Sequence, residues 1–261
     1  MKYGFIGCGN MGGAVARALS KSTRDILVTD RTGKAAPLAQ ELGIRYGDNE
    51  TAARMCDRLF LCVKPYMMAD VLKPLQDILR QRKPLLITMA AGLTLAQIEE
   101  FAGTALPVVR IMPNTPVAVG SGVIQYCRNS LVTEEQLSDL LADLRFAGRL
   151  DGLEEKLIDA ASALSGCGPA YAYIFMEALA DGAVACGIPR AKALEYAAAT
   201  LEGAGRMYLE THTHPGALKD AVCSPGGSTI AGVRALEQHG FRGAVMDCVS
   251  AAYEKNKQLG K

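Results

Sequence analysis

The chain enters a short apolar run, Tyr3-Gly4-Phe5-Ile6, that passes directly into Gly7-Cys8-Gly9-Asn10-Met11-Gly12. Small and apolar residues then recur at helical spacing, with Ala14/Ala18 and Val15/Leu19 paired four apart. Strand, glycine turn and helix in that order open a doubly wound α/β fold, and each glycine of GxGxxG has a task there. Gly7 permits the tight turn, Gly9 lets a pyrophosphate approach the backbone, and Gly12 lets helix pack on strand. A second apolar run, Ile26 to Thr29, leads to Asp30, about 18 residues beyond Gly12, close to where a ribose-binding acid belongs. A glycine turn that binds nothing is the alternative. The strand–turn–helix setting favours a dinucleotide.

The alternation continues to about residue 151. Strands are expected at Tyr3–Gly7, Ile26–Thr29, Ile44–Tyr46, Leu59–Val63, Leu85–Met89, Val108–Met112 and Val123–Cys127, with helices such as Met67–Arg82 and Thr94–Phe101 between them. This pattern implies a mostly parallel sheet with crossover helices. Ligands of such sheets collect at the carboxyl ends of the strands. Three loops of distinctive composition fall there: Val63-Lys64-Pro65, Met89-Ala90-Ala91-Gly92 and Met112-Pro113-Asn114-Thr115-Pro116.

From residue 152 the period becomes helical. Two domains are expected: a Rossmann-like sheet over 1–151 and an all-helical domain over 152–261. Helices are read near Glu154–Leu164, Ala170–Cys186, Arg190–Glu210, Thr229–Gln238 and Arg242–Gln258. The second of these carries Tyr171, Ile174, Phe175, Met176, Leu179, Ala183 and Val184, too many apolar residues for one stripe. A helix apolar all round must be surrounded, so a second copy of the chain is expected to cover it. Burial inside one protomer is the alternative.

Composition narrows the class. A net charge of +1 with no block of like charges gives no electrostatic support for nucleic acid or an anionic membrane. The longest apolar run, around Tyr171 to Ala180, is interrupted by Glu177, so no membrane span is expected, and the early first strand leaves no room for a signal peptide. None of the 8 cysteines forms a CxxC, a pattern of reduced, buried thiols in a cytoplasmic protein. His212-x-His214 has no cysteine or carboxylate cluster beside it, so no metal site is expected; a solvent-facing turn before Pro215 is the reading.

The segment His214–Ile230 reads HPGALKDAVCSPGGSTI. Its second half is a hydroxyl- and glycine-rich loop entering a helical pattern marked by Ile230, Val233 and Leu236. The first amides of a helix lack internal partners and the dipole is positive there, which suits a small anion. A plain helix cap made by Ser228 or Thr229 is the other reading.

Three stretches together closely resemble the pyrroline-5-carboxylate reductase family: Gly4-Phe5-Ile6-Gly7-Cys8-Gly9-Asn10-Met11-Gly12, then Leu164-Ser165-Gly166-Cys167-Gly168-Pro169-Ala170-Tyr171, then HPGALKDAVCSPGGSTI. The similarity covers essentially the whole chain. It implies reduction of 1-pyrroline-5-carboxylate to L-proline by NADPH or NADH, the last step of proline synthesis. It implies a homodimer interlocked through the helical domain, in some members gathered into a ring, with the active site between the sheet of one subunit and the helices of the other. The resemblance assigns Ile6, Gly7, Cys8, Gly9, Asn10, Met11 and Gly12 to the pyrophosphate, Asp30 and Arg31 to the adenosine ribose, and Asn49, Val63, Lys64, Pro65, Met89, Ala90 and Ala91 to further coenzyme contacts. It assigns Ser224, Gly227, Ser228 and Thr229 to the substrate carboxylate and ring nitrogen, with Glu155 at a substrate-binding position of some members.

Cys167 stands where the family usually has serine, and Ala221 where some members carry a larger substrate-contacting residue. Asp30 suits the ribose hydroxyls of NADH, whereas Arg31 suits the 2′-phosphate of NADPH; the reading leans to NADPH. Thr229 is the expected catalytic residue, hydrogen-bonding the ring nitrogen and orienting the ring rather than supplying a proton. A β-hydroxyacid dehydrogenase would carry a lysine on the first long helix of the second domain, and Pro169–Cys186 has none. A reductase of another cyclic imino acid and a catalytically silent coenzyme-binding paralogue are the remaining alternatives.

Overall fold

The computed structural model describes residues 1–259. The chain forms two compact units, Met1–Cys167 joined by the segment from Ala252 onward, and Gly168–Ala251.

The first unit is built on an eight-stranded sheet of β1 (Tyr3–Ile6), β2 (Ile26–Thr29), β3 (Arg45–Tyr46), β4 (Arg58–Leu61), β5 (Leu85–Thr88), β6 (Val108–Pro113), β7 (Gly122–Arg128) and β8 (Gly148–Gly152). Their spatial order is β3-β2-β1-β4-β5-β6-β7-β8. All neighbours run parallel except β6 and β7. The crossovers carry α1 (Asn10–Leu19), α2 (Ala35–Leu42), α3 (Asn49–Met55), α4 (Met68–Leu72), α5 (Gln76–Arg82), α6 (Leu95–Ala102) and α7 (Glu134–Leu144).

Successive strand residues feed opposite faces, as a sheet covered on both sides demands. Phe5, Val28, Phe60, Ile87 and Val109 enter one core with Val15 and Leu19 of α1. Their neighbours Ile6, Leu27, Leu59, Leu61, Leu86 and Val108 enter the other with Leu72, Leu79 and Ile98. Phe5 and Phe60 stack at 4.4 Å between ring centroids. The start of the sheet is clamped by charge. The Tyr3 hydroxyl donates to Asp143 at 2.7 Å, Lys2 reaches the same carboxylate at 2.6 Å, and Arg58 pairs with Asp139 at 2.9 Å.

Three features of the first unit depart from the sequence reading. Strand β8 was not expected: Gly-Arg-Leu-Asp-Gly at a half-exposed sheet edge has no apolar alternation to betray it. The segment read as one helix, Met67–Arg82, is divided by a 3₁₀ turn at Lys73–Leu75, because Pro74 cannot supply an amide to a continuous helix. The helix α8 (Glu155–Ser165) packs on β7 and puts Ile158 into the second core, so the first unit extends past residue 151 to Cys167. Asn256 reinforces this by donating to the Asp159 carbonyl at 3.0 Å. The expected boundary at 151/152 marks where strands end rather than where the compact unit ends. The last two residues of the expected helical domain, 260 and 261, lie outside the described residues.

The second unit contains α9 (Gly168–Ala185), α10 (Arg190–Thr211), α11 (Pro215–Ala221), α12 (Ser228–Gln238) and the greater part of α13 (Phe241–Leu259). Helices α9 and α10 pack together, and Tyr171 of α9 reaches the Cys248 carbonyl of α13. Helix α11 was not expected. Pro215 fits its first position, where no amide is needed, and the His214 ring accepts from the Gly216 amide at 3.1 Å. Burial of α9 within one protomer is overturned: Ala180 is its sole buried residue, and Ile174 is 69% exposed. No described helix is long and apolar enough to cross a membrane.

Candidate active site

The glycine turn follows β1 and precedes α1. Gly7 has φ +94°, a conformation that side-chain-bearing residues rarely adopt. At Gly12 a Cβ would stand 2.5 Å from the Gly7 carbonyl oxygen and 2.9 Å from the Cys62 Cβ, so helix and strand approach too closely for any side chain. Gly9 differs: a Cβ there meets nothing within 4 Å. It caps α1 without a side-chain hydrogen bond, and the first internal bond joins Gly13 N to Gly9 O at 2.8 Å. The amides of Asn10, Met11 and Gly12 therefore precede the helix's own ladder, and its first turn has no acidic residue. Open space above unpaired amides at a positive helix end fits a pyrophosphate.

Beside the turn lies an open cleft of about 830 Å³. Six of the expected coenzyme residues line it: Ile6, Gly7, Asp30, Arg31, Asn49 and Val63. Tyr46 and Tyr66, which sequence reasoning missed, supply aromatic wall, and no motif marked them. The remaining expected residues fall outside the lining. Cys8 is buried under the turn, with its thiol pushed up to about 12 by burial and, secondarily, by the Asp30 charge. Lys64 is exposed and caps the 3₁₀ turn opened by Pro65. Met89, Ala90 and Ala91 follow β5, with Ala90 buried in the second core. Because β1, β4 and β5 are neighbours, these loops share the carboxyl rim of the sheet with the glycine turn.

Asp30 has an internal task. Its carboxylate accepts from the amides of Thr32 (3.1 Å), Gly33 (3.1 Å) and Lys34 (2.8 Å) and from the Thr32 hydroxyl (2.6 Å). Burial raises its pKa, but these donors outweigh burial and the net shift is downward. Arg31 beside it is exposed.

Glu155 also serves the first unit. Its carboxylate accepts from the Leu95 amide at 2.6 Å, at the start of α6, and stands 3.8 Å from the guanidinium of Arg110. Arg110 is 1% exposed and bonds Asp159 at 2.5 Å. Asn114 of the third rim loop is likewise committed: it donates to the Ser165 carbonyl and accepts from the Val123 amide, both at 2.9 Å.

The terminal loop belongs to the second unit. Gly226 has φ +70°, and the Gly227 amide turns back to the Ser224 carbonyl at 3.0 Å. A Cβ at Gly227 would collide with the Ser224 hydroxyl. The plain-cap reading fails here. Gly227 is the cap residue, and no side chain caps α12. The first internal bond joins Ala231 N to Gly227 O at 3.4 Å, so the amides of Ser228, Thr229 and Ile230 precede it. Ser224, Ser228 and Thr229 are exposed in the single chain. Three exposed hydroxyls and a set of unpaired amides at a positive helix end make an arrangement that suits a small anion.

A dinucleotide turn on a doubly wound sheet, with an anion cradle on an all-helical unit, defines a two-domain nicotinamide-dependent oxidoreductase. Residues 2–92 match the family described as NADP oxidoreductase, coenzyme F420-dependent, and residues 155–259 match pyrroline-5-carboxylate reductase dimerisation. The chain is 41% identical to the pyrroline-5-carboxylate reductase of Escherichia coli K12, over 100% of this chain and 98% of that one. It is 40% identical to the Pisum sativum enzyme of the same name, over 98% and 95%. Among solved structures, the pyrroline carboxylate reductase of Plasmodium falciparum with NADP bound superposes with a TM-score of 0.90 at 33% identity, over 100% and 98% of the two chains. The chain belongs to the pyrroline-5-carboxylate reductase family.

Proposed function

We propose that this protein reduces 1-pyrroline-5-carboxylate to L-proline with NADPH, as the last step of proline synthesis in the cytoplasm, and that it works as a homodimer joined through its helical unit. The observation that carries the proposal is the segment from Ser224 to Ile230, whose hydroxyls and whose Ser228, Thr229 and Ile230 amides are left unused by the fold. The substrate is a cyclic imine bearing a carboxylate. The Ser228, Thr229 and Ile230 amides and the Ser224 hydroxyl hold that carboxylate with charge-assisted hydrogen bonds. Gly227, having no Cβ, leaves the Ser224 hydroxyl its place in the loop.

The Thr229 hydroxyl oxygen accepts from the protonated ring nitrogen, fixing the plane of the ring and favouring the iminium, the better electrophile. A threonine hydroxyl is too weak an acid to supply that proton, which comes from solvent or arrives on the substrate. When bound, the reduced nicotinamide supplies the hydride that converts C=N to CH–NH. The unpaired amides of Asn10, Met11 and Gly12 hold the pyrophosphate, and Val63 and Asn49 bound the cleft beside it. Arg31 favours NADPH, because Asp30 is engaged by its own loop and Arg31 faces outward.

The test is steady oxidation of NADPH on adding 1-pyrroline-5-carboxylate, with NADH and the six-membered imine run in parallel. Thr229→Ala should lower kcat/KM by roughly 5- to 150-fold, the loss of one hydrogen bond worth about 1–3 kcal/mol. Full turnover and substrate affinity in that variant would remove Thr229 from the mechanism.

A further inference from the structure

We infer that Thr29 is a positioning residue for coenzyme choice: it fixes the orientation of the Asn49 carboxamide, so that Asn49 meets the adenosine ribose with its amide hydrogens rather than its oxygen. This rests on the reading that the cleft holds a nicotinamide dinucleotide.

Thr29 closes β2 and is 1% exposed. Its carbonyl accepts from the Gly7 amide at 3.0 Å, tying the end of β2 to the glycine turn. Its hydroxyl donates to Asn49 Oδ1 at 2.5 Å. A carboxamide has one accepting end and one donating end, so holding the oxygen against Thr29 leaves the Nδ2 hydrogens for the cleft that Asn49 lines. Without that bond the two ends are nearly equivalent in shape, and the group is free to turn its oxygen outward.

The other acceptors near the end of β2 are engaged as well. The Asp30 carboxylate carries four hydrogen bonds from Thr32, Gly33 and Lys34. Asp48 accepts from the Thr51 amide at 2.7 Å, and Glu50 pairs with Arg54 at 2.7 Å. Asp70, also on the cleft wall, stands on α4, which follows β4 rather than β2. Beside Asp30, the Arg31 guanidinium and the Asn49 amide hydrogens are donors on the cleft wall.

A 2′-phosphate is acceptor-rich and suits that set. A free ribose diol must also donate, and the Asp30 carboxylate is already held by its own loop. Thr29, 1% exposed at the cleft wall, thus acts on selectivity through Asn49.

The experiment is equilibrium binding of NADP⁺ and NAD⁺ by titration calorimetry to the full-length protein, its Thr29→Val and Thr29→Ser variants, and Asn49→Ala. Valine keeps the shape and removes the donor, so NADP⁺ should bind about tenfold more weakly while NAD⁺ changes by less than about twofold. Serine keeps the donor and should restore the preference. In assays the loss should appear in KM for NADPH with kcat unchanged at saturation. Should the buried strand not accept valine, Asn49→Ala leaves β2 intact and should give the same tenfold loss of selectivity. Unaltered selectivity in a folded Thr29→Val or in Asn49→Ala overturns the role of Thr29 while leaving the coenzyme reading in place. A parent protein that binds neither dinucleotide overturns both.

Discussion

The sheet unit closes its own core, and the helical unit does not. In the first unit Phe5, Phe60, Leu61 and Ile87 are fully enclosed, and helices cover both faces of the sheet. In Gly168–Ala251 the buried side chains among the described residues are three alanines, Ala180, Ala193 and Ala197, while Ile174 and Met246 stand 69% and 70% exposed. A parallel sheet sandwiched by helices satisfies its apolar faces within one chain. Helices apolar on more than one side require further surface, and exposed patches of this kind mark association sites.

The strongest way to break the comparison is to charge the open half. Ile174→Glu should abolish the dimer at micromolar concentrations, weakening it by at least about a hundredfold, because an unpaired buried charge costs several kcal/mol. Sedimentation velocity reads this directly. Leu131→Glu, at an exposed leucine of the sheet unit, is the control and should sediment like the parent. Equal behaviour of the two variants would mean the open helical surface is not an interface.

Within the sheet unit, the two glycines of the turn should part company. Gly12→Ala places a methyl against the Gly7 carbonyl and should cost about 1–3 kcal/mol of stability along with most coenzyme affinity. Gly9→Ala meets open space, so the melting temperature should hold while dinucleotide binding falls. A matching loss of stability in both variants would mean that Gly9 serves packing rather than a ligand.

A smaller effect should appear in acid. Burial raises the Asp143 carboxyl pKa, but hydrogen bonds from Lys2 and Tyr3 outweigh it and hold it below the ordinary carboxylate range. A lowered folded pKa contributes stability that is present above the unfolded value and is lost as pH falls through the folded one. Asp143→Asn should therefore be less stable by roughly 1–2 kcal/mol at pH 7 in urea titrations, with the gap closing as pH falls below the ordinary carboxylate range. A gap independent of pH would contradict this.

Smallest of all is a test of thiol chemistry. Burial pushes the thiols of Cys8 up to about 12 and of Cys56 and Cys127 up to about 11. At pH 8 they should remain unlabelled by an aromatic disulfide reagent until denaturant is added.

Much of the sheet unit is legible in the sequence because its signals are local. The β1 strand, the three glycines and the α1 spacing lie within a few residues of one another, and strand periodicity located seven of the eight strands. The eighth, Gly148–Gly152, escaped because an exposed edge strand need not alternate. The glycine turn and exposed hydroxyls before α12 were legible for the same local reason, since glycine and hydroxyl residues at a helix start carry their meaning in sequence. The side-chain partners were not. Asp30 looked like a ribose ligand until its own loop was seen to saturate it, Glu155 sits on the Leu95 amide, and the role of Thr29 depends on Asn49 across a helix start.

Backbone conformation answers largely to nearest neighbours, so composition and spacing located most of the strands, the glycine turn and the long helices, though not β8 or α11. Which acceptors stay free for a ligand depends on donors brought in from distant parts of the chain, and that only the folded molecule decided.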